Sequence, residues 1–248
     1  MKKFLPFLST LLLCVTAYGG SYAYSETVFR PGSSKNSEFE LDHHYAYTWG
    51  ISAAASYSQN TYSDLKNQLK VGSGWSIECV TLTFEDIWDW VIEPNDRLWV
   101  NLVDTDYKGG SSKDLKKGVN EFYDNADDIE STNPGTNYFN NSKTTSLGYW
   151  TDVNGGQNGA NKTTVTFTFT LDQISKLTTY INNGGATSGS SGYADFGLAF
   201  DPDCHYYNTG IELKVVTKKY YVPEGGASVA FLGAGLLALA ATRRLLRR

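Results

Sequence analysis

A chain of 248 residues with 41% hydrophobic, 19% charged and 14% aromatic side chains is long enough to bury a core and too polar to be a bundle of membrane spans. Three cysteines and three histidines beside 24 glycines and 17 tyrosines exclude a disulfide-dense scaffold and a metal centre built from many histidines or cysteines. The formal net charge is −5, but residues 24–221 alone hold 25 acidic and 15 basic residues, an acidic surface that disfavours nucleic acid.

At the N-terminus Lys2 and Lys3 precede an apolar run from Phe4 to Ala17 and then small residues, the layout of a secretory signal peptide. The run is shorter than the ~20 residues that span a bilayer. Ser21-Tyr22-Ala23 offers a small-x-small site, so the signal is read as residues 1–23 with cleavage after Ala23. Val15 and Ala17 also allow a cut after Ala17. Cys14 follows Leu11-Leu12-Leu13, without the small neighbour that a lipoprotein cysteine requires.

Period-two alternation then recurs along the chain. It predicts strands over Phe39–Trp49, Ile77–Phe84, Leu98–Val103, Val165–Leu171, Phe196–Phe200 and Ile211–Val216, rich in Thr, Val, Phe and Tyr as strands prefer. Gly/Asn/Ser connectors separate them at 108–112, 153–161 and 182–192. Two short helices are predicted, over Tyr62–Leu69 and over Asp172–Ile181, the latter with Asp172 as N-cap and Ile174, Leu177 and Ile181 on one face. No fixed-period repeat marks a solenoid. The expected fold over residues 24–221 is one all-β domain, a two-sheet jelly-roll-like β-sandwich.

The signal would deliver Cys79 and Cys204 to an oxidising compartment, where they are candidates for a disulfide. Such a bridge closes a loop of about 125 residues, worth about 4–5 kcal/mol by chain entropy; two buried free thiols are the alternative. A Cys204–His205 nucleophile and base pair is not expected, because neighbours on a strand face opposite ways. Asp201, Asp203 and Asn208 offer oxygens for Ca²⁺, the one cofactor suggested, and Asp104 with Asp106 forms a second such group. Ordinary turn chemistry is the plainer reading of both groups.

Glu85, Asp86, Asp89, Glu93 and Asp96 surround Trp88 and Trp90, a pattern open to a glycosidase cleft. No catalytic residue is assigned. The indoles of Trp75, Trp88, Trp90, Trp99 and Trp150 suit either sugar stacking or the core, with the core taking the larger share. The run Asp124–Glu130 reads as a solvated face. His43 and His44, adjacent on a predicted strand, should split between its faces, His43 on the aromatic side and His44 toward solvent, so no zinc centre is expected from them with His205. No nucleophile elbow, phosphate loop or H-E-x-x-H helix occurs.

The C-terminal 27 residues have three parts in order: Val222-Pro223-Glu224-Gly225-Gly226, an apolar stretch over 227–242, and Arg243, Arg244, Arg247 and Arg248. As a helix the stretch is about 24 Å long, and terminal arginines hold that end in the cytoplasm. The tail resembles the C-terminal sorting signals of the bacterial exosortase system, the PEP-CTERM type and its V-P-D-x-G relatives. Val222, Pro223, Glu224 and Gly226 carry the match. Gly225 stands where the commonest form has a second proline, which leaves a GlyGly-type rhomboid-processed tail open. The resemblance implies passage through the secretion machinery, transient residence in the inner membrane, and processing by an exosortase-like enzyme at a Gram-negative envelope. An ordinary C-terminal anchor is the alternative. Phe200–Ile211 and the Leu82–Asp104 region are similar to stretches of uncharacterised bacterial secreted proteins, which implies no activity.

The expectation is therefore an exported envelope or extracellular-matrix protein of the biofilm type, presenting a non-catalytic sandwich for adhesion or contact with extracellular polysaccharide. The alternative is a secreted carbohydrate-active hydrolase with its site among the carboxylates of 85–96. A third reading is a purely structural matrix component.

Overall fold

The computed structural model describes residues 21–31, 40–52, 62–89, 96–104, 115–116, 118–124, 137–153, 161–183, 194–221 and 233–236. Two compact units emerge, Tyr24–Lys219 and the pair of end segments Met1–Ala23 and Tyr220–Arg248. In chain order the elements are β1 (Ser21–Phe29), β2 (Glu40–Leu41), β3 (Tyr45–Ile51), α1 (Tyr62–Gln68), β4 (Trp75–Asp89), β5 (Leu98–Val103) and β6 (Gly118–Tyr123). They continue with β7 (Thr144–Trp150), β8 (Thr163–Thr168), α2 (Leu171–Asn183), β9 (Phe196–Pro202), β10 (Tyr206–Tyr207) and β11 (Gly210–Tyr221). The fold is mostly β, with two antiparallel sheets and short helices, as the alternation predicts. One sheet runs β1-β11-β4-β10-β2, with β8 also paired to β4; the other runs β6-β3-β9-β5-β7.

The core lies where the large residues of each alternating strand meet. Val80, Leu82, Phe84 and Ile87 of β4 and Ile211, Leu213 and Val215 of β11 share one buried cluster with Trp49, Val100, Leu198 and Phe200 of the second sheet. The Phe84 and Phe200 rings meet edge to face at 5.3 Å. In β3 and β9 the alternation is large against small. Tyr47, Trp49 and Ile51 enter this cluster, while Ala46 belongs to a second one with Leu115, Phe122, Phe139, Ala194 and Ala199. Gly50 and Gly197 leave room on that far face: a Cβ at Gly50 would sit 1.9 Å from the Lys116 carbonyl oxygen, and one at Gly197 2.6 Å from Leu115 Cδ1. Both faces of β9 are thus covered, and every residue in it is buried.

β10 and β11 lie along one edge of β4 in a single register, Tyr206 opposite Asp89 and Gly210 opposite Glu85. Between them Asn208 and Thr209 leave the ladder beside an irregularity in β4, where Asp86 takes φ +48°, a left-handed conformation that Asp tolerates better than most residues. The Thr209 amide closes the gap onto the Glu85 carbonyl at 2.8 Å. Beyond the gap β10 leaves β1 behind and pairs with β2 instead, which carries residues 205–207 to the chain at 40–44.

Some elements differ from expectation. The strand predicted over Phe39–Trp49 is broken at 42–44 by a turn. α2 begins after Thr170 rather than at Asp172: the Gln173 amide donates to Thr170 Oγ1 (3.3 Å) and the Thr170 amide to Gln173 Oε1 (2.7 Å), a reciprocal capping box. Leu177 and Ile181 are buried as predicted. β1, β6, β7 and β10 have no counterpart among the predicted strands, and their burial patterns show why: β6 and β7 expose much of both faces, so their alternation is faint.

Candidate functional site

All three histidines of the chain gather at the end of the first sheet. The reason is the turn after β2. The Asp42 carbonyl accepts the Tyr45 amide (2.9 Å) and Asp42 Oδ1 accepts the His44 amide (3.0 Å), the local bonding that makes Asp a turn initiator. The Asp42 amide donates to the hydroxyl of buried Tyr47 at 2.8 Å, which ties the turn to the core. The expected split of His43 and His44 across a strand therefore fails, because strand alternation does not apply within a turn. Their rings lie 4.1 Å apart.

β10 supplies the third ring. Tyr206 pairs with Leu41 and Tyr207 with Glu40, so the same register carries His205 to Asp42. His205 Nε2 lies 3.3 Å from Asp42 Oδ2 and 3.7 Å from Glu40 Oε1. His44 Nδ1 is 2.8 Å and His43 Nδ1 4.0 Å from Asp42 Oδ1, and the His43 and His205 rings meet edge to face at 5.1 Å. Ligand atoms of Asp42, His43 and His205 all fall within 4.8 Å of one another. Partial burial raises the Asp42 carboxyl, but hydrogen bonds from the His44 amide and ring, then the charges of His205 and His44, hold it below the usual carboxylate range. Tyr207 stacks on Trp88 at 4.6 Å and its hydroxyl donates to Glu40 Oε1 at 3.3 Å, walling one side of the patch.

Cys204, next to His205, points the other way, into a buried group of acids. Its thiol donates to Asp89 Oδ1 at 2.9 Å, and Asp89, Asp96 and Cys204 form a second close set. The Asp89 amide donates to Asp152 Oδ2 at 3.1 Å. Burial first, then Asp89, pushes the Cys204 thiol far above its ordinary range, so it is a neutral donor and a poor nucleophile. The candidate disulfide is not formed: both cysteines are free. Cys79 lies ten residues back along β4 from Asp89, roughly 30 Å away at strand rise, far beyond bridging distance.

The calcium group does not assemble. Asp201 lies on the far face of its sheet, where Oδ2 accepts the Tyr138 amide at 2.5 Å. Asp203 folds back on Arg97, its carboxylate accepting the Arg97 amide while its own amide donates to the Arg97 carbonyl at 3.0 Å. Asn208 is buried beyond β10, so the three donors serve separate places. Asp104 donates its amide to the Lys143 carbonyl, and Asp106 lies outside the described residues. Of the acidic run, Glu85 and Asp86 face solvent while Asp89 and Asp96 are buried, so these four do not line one cleft; Trp90 and Glu93 lie outside the described residues. Asp124 is buried rather than solvated, its amide bonded to the His44 carbonyl at 2.8 Å, and 125–130 lie outside the description.

The tryptophans also differ from expectation. Among the described residues Trp49 is the buried tryptophan, while Trp75, Trp88, Trp99 and Trp150 are each half-buried. Trp99 and exposed Tyr149 carry the Arg97 guanidinium at 5.1 and 4.5 Å from their ring centres, an aromatic and cationic patch open to solvent. The tail residues Val222–Gly226, Arg243, Arg244, Arg247 and Arg248 lie outside the described residues, of which only 233–236 in this segment are described, as helix. No described helix is long and apolar enough to cross a membrane. Searches of family models, curated proteins and solved structures each found no match to this chain.

Proposed function

We propose that this chain is an exported envelope or matrix protein, delivered by its N-terminal signal and sorted through its C-terminal tail, whose β-fold makes non-catalytic contact with extracellular polysaccharide. The observation that carries the reading is the position of the tail. The last strand, β11, ends at Tyr221, and the next residues are Val222-Pro223-Glu224-Gly225-Gly226, the apolar stretch and the arginines. Pro223 and the glycines are residues that interrupt strand and helix, the kind of sequence a processing enzyme can grip. At the other end, the first fully buried side chain of β1 is Thr27, so a cut after Ala17 leaves the strand whole and a cut after Ala23 removes its first three residues but none of its fully buried ones.

The finer reading of the two sheets is a jelly-roll-like winding, an architecture that hosts sugar-binding sites. Trp99, Tyr149 and Arg97 are the proposed glycan-facing surface, since flat aromatic faces suit pyranose rings. The hydrolase reading draws less support, because the described acids of this run, Glu85, Asp86, Asp89 and Asp96, divide between solvent and interior.

Sorting is tested in the native host by replacing Pro223, Glu224 and Gly226 together with alanine. The account expects the variant to accumulate uncut in the inner-membrane fraction, while the parent chain is found beyond it. Identical distribution and identical length of the two chains would refute the sorting role.

A further inference from the structure

We propose that Asp42, His43 and His205 form a binding site for a divalent transition-metal ion of the zinc class. Three features of the patch point the same way. The donors are two imidazoles and one carboxylate, a set that suits zinc and its first-row neighbours, whereas calcium and magnesium take oxygen alone. The spacing is already close to coordination geometry. Ligands at zinc distances of 2.0–2.2 Å in a tetrahedron stand ~3.3–3.5 Å apart, and His205 Nε2 is 3.3 Å from Asp42 Oδ2. His43 Nδ1 lies 4.0 Å from the other oxygen of the same carboxylate, and ligand atoms of all three residues fall within 4.8 Å of one another.

The third feature is access with support. The side chains of Asp42, His43 and His205 are 28%, 27% and 29% exposed, which lets an ion enter and leaves a fourth position to water. Three protein ligands with one open position is the arrangement of reactive rather than structural zinc sites. Yet the carboxylate is not loose: the His44 amide bonds its Oδ1 and Tyr47 anchors its backbone amide. Glu40 adds a second carboxylate at the rim, 3.7 Å from His205 Nε2. The ligands come from positions 42–43 and 205, brought together by the β2–β10 pairing, so a bound ion would clamp that short ladder. The site is independent of the sorting reading and stands or falls separately from it.

The test uses the full chain without a polyhistidine tag, titrated with Zn²⁺ against a chromophoric chelator and then with Co²⁺ as a visible probe. One Zn²⁺ per chain is expected. H205N and D42N should each lower its affinity by at least the ~10–100-fold that loss of a mere outer-shell partner costs, while D86N, at an exposed acid elsewhere, leaves it unchanged. The Co²⁺ spectrum should show ligand-field bands without thiolate charge transfer. H205N removes a half-exposed ring and leaves the Asp42 turn bonds in place, so it keeps the test decisive if D42N melts early. Absence of saturable binding, unchanged affinity in H205N, or a thiolate-to-cobalt band abolished by C204S would overturn the proposal, the last by placing the ion at Asp89, Asp96 and Cys204.

Discussion

Replacing Trp49 with alanine is expected to remove about 3–5 kcal/mol of stability, the usual cost of emptying a buried aromatic position. Trp49 is 3% exposed and sits in β3, paired on one side with Val119 of β6 and on the other with Leu198 of β9. Its indole is part of the cluster shared by both sheets. Gly50 beside it allows the Lys116 backbone to lie against the far face, so inward collapse of β3 to refill the space would disturb that contact too. Domains of this size have only about 5–15 kcal/mol in total, so the variant should unfold at much lower denaturant. Trp75, half-buried at the start of β4, gives the contrast. Equilibrium urea unfolding should show a large shift for W49A and a small one for W75A; equal shifts would contradict the assignment of the core.

Raising the pH should unfold the protein abruptly above pH 10. Tyr47, Tyr62 and Tyr206 are buried to within 2%, and burial raises the ionisation of each above the ordinary phenol value of 10.0. Nearby acids add to this, Asp195 for Tyr62 and Asp203 with Asp89 for Tyr206. A group whose folded value is raised contributes its full stability below its unfolded value and loses it as pH climbs toward the folded one. Between those limits the unfolded chain releases protons that the native state keeps, so stability falls with pH. Each tyrosine costs about 1.4 kcal/mol per pH unit from 10 up to its own raised value, so the losses of the three add as the pH climbs. Far-ultraviolet circular dichroism should collapse in one step together with a late, steep component of the tyrosinate absorbance. Ionisation of every tyrosine with the fold intact would show these rings to be open to water.

Strands that bury one face were legible because their alternation is complete, as in Val165-Thr166-Phe167-Thr168 and in Phe196-Gly197-Leu198-Ala199-Phe200. The latter's small residues match a second covered face, where Leu115 lies against Gly197. α2 was legible from its apolar stripe; its cap is Thr170, bonded reciprocally to Gln173, in place of the expected Asp172. The histidine patch was not legible. Its local half was signalled by Asp42 ahead of two histidines, a turn initiator inside an apparent strand. Its distant half depends on β10, two residues long, whose pairing with β2 and β4 follows from the interruption at Asn208–Thr209 and leaves no periodic trace. The separation of Cys79 from Cys204 was hidden for a similar reason: only the length of β4 reveals that they lie at opposite ends.

The intact mass of the mature protein, taken from the native envelope fraction and the medium, tests the central claim most directly because it locates both ends of the chain at once. The account predicts an N-terminus at Tyr18 or Tyr24 and a C-terminus within Pro223–Gly226, with or without an added group. A mass that retains Met1 or Arg248 would contradict export with tail processing.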